Sequence, residues 1–303
     1  MRVALIGSHG MLGQELAPRL LREGWEVVGL DAAAPAAAQL DITRSEAVHG
    51  RLHELNPALV INGAAYTAVD RAESEPEAAF AVNRDGVGYL AQACKNLHIP
   101  LIHLSTDYVF DGNRTRPYEE EDKANPINVY GLSKWQGEET LRAVWPKHLI
   151  VRLSWMFGAH GHNFVKTILR LAREREELRV VADQVGCPSW AGHVAEALMR
   201  LSRKILADRG DIPWGTYHFC GREETSWHGF AQAIVDVARH YEPLRVRKVI
   251  PIQSIEYPTP ARRPRWSVLS CRKIDRIFQI KSPSWRQGLT DMLAELYSSE
   301  AAS

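Results

Sequence analysis

Short apolar runs alternate with helix-length amphipathic stretches through the first half of the chain. Val3–Ile6, Trp25–Leu30, Ala58–Asn62, Leu101–Leu104 and Leu149–Leu153 each read as a buried strand. Leu12–Glu23, Pro76–Leu97 and about Ser133–Val144 carry the spacing of helices that bury one face. Strands alternating with helices predict a doubly wound α/β fold, a parallel sheet covered on both faces with right-handed crossovers. Beyond about residue 155 the alternation loosens. Asn163–Glu177, Val194–Leu206, Trp227–His240 and Trp285–Tyr297 read as helices, and Pro251–Arg265 as a loop rich in proline and arginine. The run from Arg173 to Glu177 reads as a solvated helix face, and Ser298–Ser303 as a frayed tail. The pattern divides the chain into a regular half, 1–158, with a later segment near 188–222 returning to it, and a smaller, irregular α/β lobe over 159–303. Ligands of such sheets bind beyond the carboxyl ends of the strands.

The formal charge of the 303 residues is +1, which leaves no strong field for nucleic acid or an anionic membrane. The local patch Arg262, Arg263 and Arg265 suits one phosphorylated small molecule better than a polymer. Cys94, Cys187, Cys220 and Cys271 form no CxxC pair, so neither a zinc site nor a disulfide framework is expected. The first residues lack the shape of a signal peptide, and no apolar run is long enough to span a bilayer. The expectation is a soluble, cytoplasmic protein.

Gly7, Gly10 and Gly13 form GxxGxxG between the first strand and the first helix. Glycine permits a tight turn and close approach of backbone to a pyrophosphate, and the helix N-terminus turns N–H groups toward it. With His9, Met11 and Leu12 between them, these residues are candidates for holding a dinucleotide, which makes the regular half a Rossmann-like domain for NADPH or NADH. Asp31 closes the second strand 18 residues after Gly13. An acid there accepts hydrogen bonds from the adenosine ribose and disfavours a 2′-phosphate, a lean toward NADH. Asp41 and Ile42 are placed near the adenine.

Tyr130 and Lys134 form YxxxK and share one face of a helix. Reducing a ketone puts negative charge on its oxygen, and a positioned acid must supply a proton. A lysine ammonium at about 4 Å contributes roughly 4 kcal/mol at an effective dielectric of about 20, or about three pKa units, enough to bring a tyrosine from about 10 toward neutrality. Ser105 and Thr106 close the preceding strand, and either hydroxyl suits the substrate oxygen. Tyr108 reads as pocket wall.

Together these residues resemble the extended short-chain dehydrogenase/reductases and, among them, the dTDP-4-dehydrorhamnose reductase family. The resemblance runs through nearly the whole chain: GSHGMLG at Gly7–Gly13, NGAAYTAVDRAE at Asn62–Glu73, LSTDYVFDG at Leu104–Gly112, NPINVYGLSKWQGE at Asn125–Glu138 and RLSWMFG at Arg152–Gly158. NFV at Asn163–Val165, DQVGCPSWA at Asp183–Ala191 and TPARRPRWSVL at Thr259–Leu269 follow. It implies NAD(P)H-dependent reduction of the C4 ketone of dTDP-6-deoxy-L-lyxo-4-hexulose to dTDP-L-rhamnose, with Thr106, Tyr130 and Lys134 catalytic. It places Ala64, Ala65, Tyr66, Thr67, Asn83 and Ser105 with the cofactor. Val69, Asp70, Thr106, Asp107, Tyr108, Trp155, Asn163 and Arg263 fall to the dTDP-sugar, with Trp155 suited to stack on an apolar sugar face. A homodimer is a further expectation, and no metal ligands are assigned. Trp266 stands where the family has Asn, and Ser189 where it has Thr; both lie in the substrate half and bear on which nucleotide-sugar is taken. Two alternatives share the pattern: another nucleotide-sugar reductase or epimerase, and a non-catalytic NAD(P)-binding regulator resembling the β subunit of methionine adenosyltransferase. The intact Thr106–Tyr130–Lys134 set favours the enzyme.

Overall fold

The computed structural model describes residues 1–207 and 212–301. The chain starts with β1 (Arg2–Ile6), α1 (Met11–Arg22), β2 (Glu26–Leu30), α2 (Ser45–Leu55) and β3 (Leu59–Asn62). Next come α3 (Val69–Ala72), α4 (Pro76–Phe80), α5 (Gly86–Asn96), β4 (Leu101–Thr106), α6 (Val129–Val144) and β5 (His148–Leu153). The second half contains β6 (Met156–Phe157), α7 (Phe164–Glu174), β7 (Glu177–Val181), β8 (Val185–Gly186), β9 (Ser189–Trp190) and α8 (Ala191–Ala207). It ends with β10 (Gly215–His218), β11 (Thr225–Ser226), α9 (Trp227–Ala238), β12 (Lys248–Ile252), α10 (Arg272–Phe278) and α11 (Trp285–Ala301).

Six strands form one sheet in the order β10-β5-β4-β3-β1-β2, and every pairing in it is parallel. The alternation predicted this, because strands buried on both faces must read as near-continuous apolar runs. β3 and β4 are buried at every residue. One face carries α1 and α8, whose Leu12, Leu16, Leu20, Val194, Leu198 and Leu201 pack on Val3, Leu5 and Ile61. The other carries α2, α5 and α6 over Ala4, Ile6, Val60 and Ile150. α8 and β10 lie C-terminal to the first lobe in sequence but belong to its sheet and its packing. A third apolar cluster joins α7, α9 and α11 beneath β7, and forms the core of the smaller lobe.

Four local readings are corrected. The stretch Pro76–Leu97 is broken by a π-helical turn at Ala81–Asp85, where α6 crosses so closely that a Cβ on Gly137 would lie 2.0 Å from the Asn83 carbonyl oxygen. The predicted helix Asn163–Glu177 stops at Glu174, and Glu177 opens β7, which pairs in parallel with β12. That pairing also draws Pro251 and Ile252 out of the predicted loop and into β12. The predicted tail is helical to Ala301, and its last two residues, 302 and 303, lie outside the described residues.

Leu16 is fully buried and Leu21, on the same helix, is 55% exposed. Leu16→Ala should cost about 2–5 kcal/mol and Leu21→Ala within about 0.5 kcal/mol, read from denaturant midpoints of the two variants. Equal losses would mean that α1 does not bury the face described.

Candidate active site

β1 neighbours β2 on one side and β3 on the other, so the strand order reverses there and a crevice opens beyond the strand ends. Gly7 leaves β1 with φ +79°, a conformation costly for any residue with a Cβ. A Cβ at Gly7 would fall 2.7 Å from the Ala64 nitrogen, and one at Gly13 only 2.4 Å from the Gly7 carbonyl oxygen. Gly10 caps α1 in an extended conformation without a side-chain bond, so the first N–H groups of the helix remain turned toward the crevice.

The crevice leads into a cavity of about 780 Å³. Of the predicted cofactor contacts, Gly7, Gly10, Met11, Leu12, Gly13, Asp31, Asp41, Ile42, Ala64, Ala65, Tyr66, Thr67 and Ser105 line it. His9 and Asn83 do not. The His9 backbone N–H donates to Asp31 Oδ2 at 3.1 Å, and the Ala33 N–H to Asp31 Oδ1 at 3.0 Å, so this carboxylate braces the glycine loop. Asn83, in the π-helical turn, accepts from the Tyr66 N–H and donates to the Tyr66 carbonyl and to Ser133 Oγ. It shapes the loop that borders the cavity.

Thr106, Tyr130 and Lys134 line the same cavity. Tyr130 and Lys134 sit in the first two turns of α6, whose start is fixed by Asn128 Oδ1 accepting from the Gly131 N–H at 2.7 Å. The sequence left Ser105 and Thr106 as equals, and the geometry separates them. Ser105 Oγ donates to Oε1 of the fully buried Glu138 at 2.5 Å. Thr106 Oγ1 donates to Asp107 Oδ1 at 3.2 Å, accepts from the Tyr108 N–H at 3.2 Å, and lies near enough to Tyr130 to favour its ionised form. Lys134 Nζ donates to the Leu104 carbonyl oxygen at 2.6 Å.

The electrostatics correct one expectation. Burial pushes Tyr130 up to about 12, against a smaller lowering by the Thr106 hydrogen bond, and the lysine does not bring it toward neutrality. Burial brings Lys134 down to about 8, partly opposed by the charge of Glu138. Asp107 is raised to about 6 by burial, although Ser267, Ser154 and Thr106 hydrogen-bond to it.

On the predicted substrate side, Val69, Thr106, Asp107, Tyr108, Trp155 and Asn163 line the cavity, and Tyr108 meets Tyr130 edge to face. Asp70 and Arg263 do not line it; they pair with each other at 2.7 Å beside it. Trp155 departs from the expectation of a free stacking face. Its ring lies parallel to that of Trp227 at 3.5 Å, and against Gly186, where a Cβ would approach within 2.5 Å. Asn163 also caps α7, accepting from the Lys166 N–H. The two departures from the family pattern lie off the cavity: Ser189 Oγ accepts from the Gly221 N–H, and Trp266 Nε1 donates to the Arg116 carbonyl. Sequence reasoning did not single out Trp227, Ser154 and His162 as cavity residues; Ser154 lies within the RLSWMFG segment, His162 directly before NFV, and Trp227 in no quoted segment. It also assigned no metal ligands. Among the described residues, Glu15, His160 and Glu295 bring one ligand atom each within 4.8 Å of one another, away from the cavity.

A phosphate-accepting loop facing buried hydroxyls and one ammonium is the equipment of a nicotinamide-dependent reductase of the short-chain dehydrogenase/reductase class. The chain belongs to the RmlD substrate binding domain family, which it matches over residues 1–298. It is 43% identical to a dTDP-4-dehydrorhamnose reductase of Sinorhizobium fredii over 95% of each chain. It is 38% identical to the Escherichia coli enzyme of that name over 99% of this chain and 100% of the relative. The crystal structure of dTDP-4-dehydrorhamnose reductase from Bacillus anthracis in complex with NADP superposes with a TM-score of 0.88 at 35% identity, covering 97% of this chain and 99% of the other.

The raised Asp107 carboxyl has a consequence for stability. The folded state holds this proton more tightly than the unfolded state, so the contribution of Asp107 is most favourable at low pH and is lost as pH rises toward and through about 6. Asp107→Asn should therefore gain thermal stability relative to the unaltered protein between about pH 4.5 and about pH 7.5. Melting curves of both proteins across that range check it, and a constant difference would show an unshifted carboxyl.

Proposed function

We propose that the chain catalyses NAD(P)H-dependent reduction of the C4 ketone of dTDP-4-dehydrorhamnose, giving dTDP-L-rhamnose. The observation that carries this reading is the convergence of Thr106, Tyr130 and Lys134 with the glycine loop on one cavity. The family and its named relatives support the substrate. The loop fits a dinucleotide, because the space at Gly7 and Gly13 admits backbone and no Cβ, and the N-terminus of α1, without a side-chain cap, would hold its pyrophosphate. Residues 1–158, with the returning segment near 188–222, hold the cofactor in this reading, and 159–303 mainly hold the sugar nucleotide.

The bound cofactor supplies hydride to the ketone carbon. The chain supplies everything else. Tyr130, pushed up by burial, is fully protonated at neutral pH and stands ready to give its proton to the oxygen as charge develops there. The Thr106 hydroxyl, in the same cavity as Tyr130, orients that oxygen. Lys134 at about 8 is mostly cationic at neutral pH and provides the one positive charge behind the phenol. Asp31 beside the glycine loop favours NADH, while the Bacillus anthracis relative holds NADP, so both cofactors belong in the assay. Four free thiols support a reducing, cytoplasmic setting.

The test follows nicotinamide absorbance with NADH or NADPH and enzymatically generated dTDP-4-dehydrorhamnose. Cofactor oxidation with dTDP-L-rhamnose as product is expected. Tyr130→Phe should lower kcat by about 10²-fold or more while cofactor affinity, measured by fluorescence quenching, stays close to that of the unaltered protein. Full turnover by that variant would remove Tyr130 from the role of acid.

A further inference from the structure

Glu138 lies one turn beyond Lys134 on α6 and is fully buried. Four donors meet its two carboxylate oxygens. Ser105 Oγ and Arg152 Nε reach Oε1 at 2.5 and 2.9 Å, and Arg152 Nη2 and Arg142 Nη2 each reach Oε2 at 2.7 Å. Arg152 is itself 1% exposed and lies on β5. Ser105 stands on β4 between Leu104, whose carbonyl receives the Lys134 ammonium, and Thr106. One carboxylate thus ties the strand end that presents Thr106 to the helix that presents Tyr130 and Lys134.

We propose that Glu138 is a positioning residue for the reduction: its carboxylate fixes the Ser105–Thr106 strand end against α6 and keeps Lys134 in its cationic, Leu104-bound state. The inference rests on the reading of Thr106, Tyr130 and Lys134 given above. The charged and titratable groups around the site are few. His103 of β4, His148 of β5 and His218 of β10 face it, and burial lowers all three, so they are neutral near pH 7. Arg84 on the π-helical turn is paired with Asp85. Asp107 and Tyr130 border the cavity side. That leaves Arg152 and Arg142 as the partners of Glu138, and Glu138 as the nearest negative charge on the helix face of Lys134. Among the described residues Lys134 makes no ion pair; its ammonium meets a neutral carbonyl. An amide in place of the Glu138 carboxylate would leave Arg142 with Glu139 as its carboxylate partner and strip the buried Arg152 of its own, beside a buried ammonium.

The test uses Glu138→Gln in the full chain with lysine labelled at 13Cε, the Lys134 resonance being assigned by its loss in Lys134→Met. In the Gln variant its titration midpoint should fall by about one pH unit, a tenfold change in the acid dissociation constant. An unchanged midpoint overturns the proposal whatever the substrate proves to be. In the ketone assay, kcat of the Gln variant should drop at least tenfold and its alkaline limb should move to lower pH, with Glu138→Asp recovering part of both. A variant that loses only melting temperature and keeps the pH profile assigns Glu138 a structural role alone and overturns the proposal. Absence of turnover by the unaltered protein would strike the substrate assignment and leave the resonance titration to decide. Should Glu138→Gln not fold, Ser105→Ala leaves every charge in place and cuts only the strand tie: a lower kcat at unchanged KM is expected, and an unaltered kcat overturns the positioning role.

Discussion

A carboxylate with no access to water, at the crossing of a helix with two sheet strands, has to be neutralised where it stands. Removing a charge from water costs several kcal/mol even after relaxation, and good geometry with full hydrogen bonding is needed to offset it. Glu138 meets that requirement with two arginines and a serine hydroxyl, and its pKa is held down to about 2 against the raising effect of burial. The requirement is strict in direction as well as in strength. Arg152 must come from β5, Ser105 from β4, and α6 must lie at one height above both. The first turns of α6 and the end of β4 are thereby held together, and the cavity inherits Thr106, Tyr130 and Lys134 at fixed mutual positions.

The opposite wall of the cavity is built by packing. Trp155 holds a positive φ of 45°, rare for a residue with a large side chain, and its ring is clamped between Gly186 and Trp227. Trp227 opens α9, and Phe164 at the start of α7 leans on it. The aromatic wall therefore joins the link after β5 to two helices of the smaller lobe. One wall is set by hydrogen bonds to charge and the other by ring contact, and the glycine loop closes the end between them.

How legible this was in the sequence depends on the range of the interaction. The glycine loop and YxxxK are local, since strand, turn and helix follow one another, and their placement could be read from spacing. The five apolar runs became five of the six strands of the sheet, while β10, a half-polar stretch, gave no such signal. The π-helical turn was invisible because its cause is the close approach of α6 at Gly137, far along the chain. Asp70 and Arg263 read as two independent sugar contacts and are instead partners of each other. The thiols of Cys220 and Cys271, isolated in the sequence, lie 3.6 Å apart in space. In each instance the missing information was a pairing between distant segments, and one chain read by itself carries no sign of it.

The tyrosine shows how a spacing argument can place a residue in the cavity and still misjudge its electrostatics. A charge at about 4 Å is worth roughly 4 kcal/mol at moderate dielectric, which would favour the phenolate. Burial acts on the same groups with opposite sign, disfavouring every charged form: it raises the phenol and lowers the ammonium. Lys134 is drawn to the Leu104 carbonyl, and the Coulomb gain counted from sequence does not reach Tyr130. A phenol at about 12 keeps its proton until something more basic arrives, and an alkoxide forming on the substrate is that base. A site that works in the direction of reduction would gain from an acid that stays loaded.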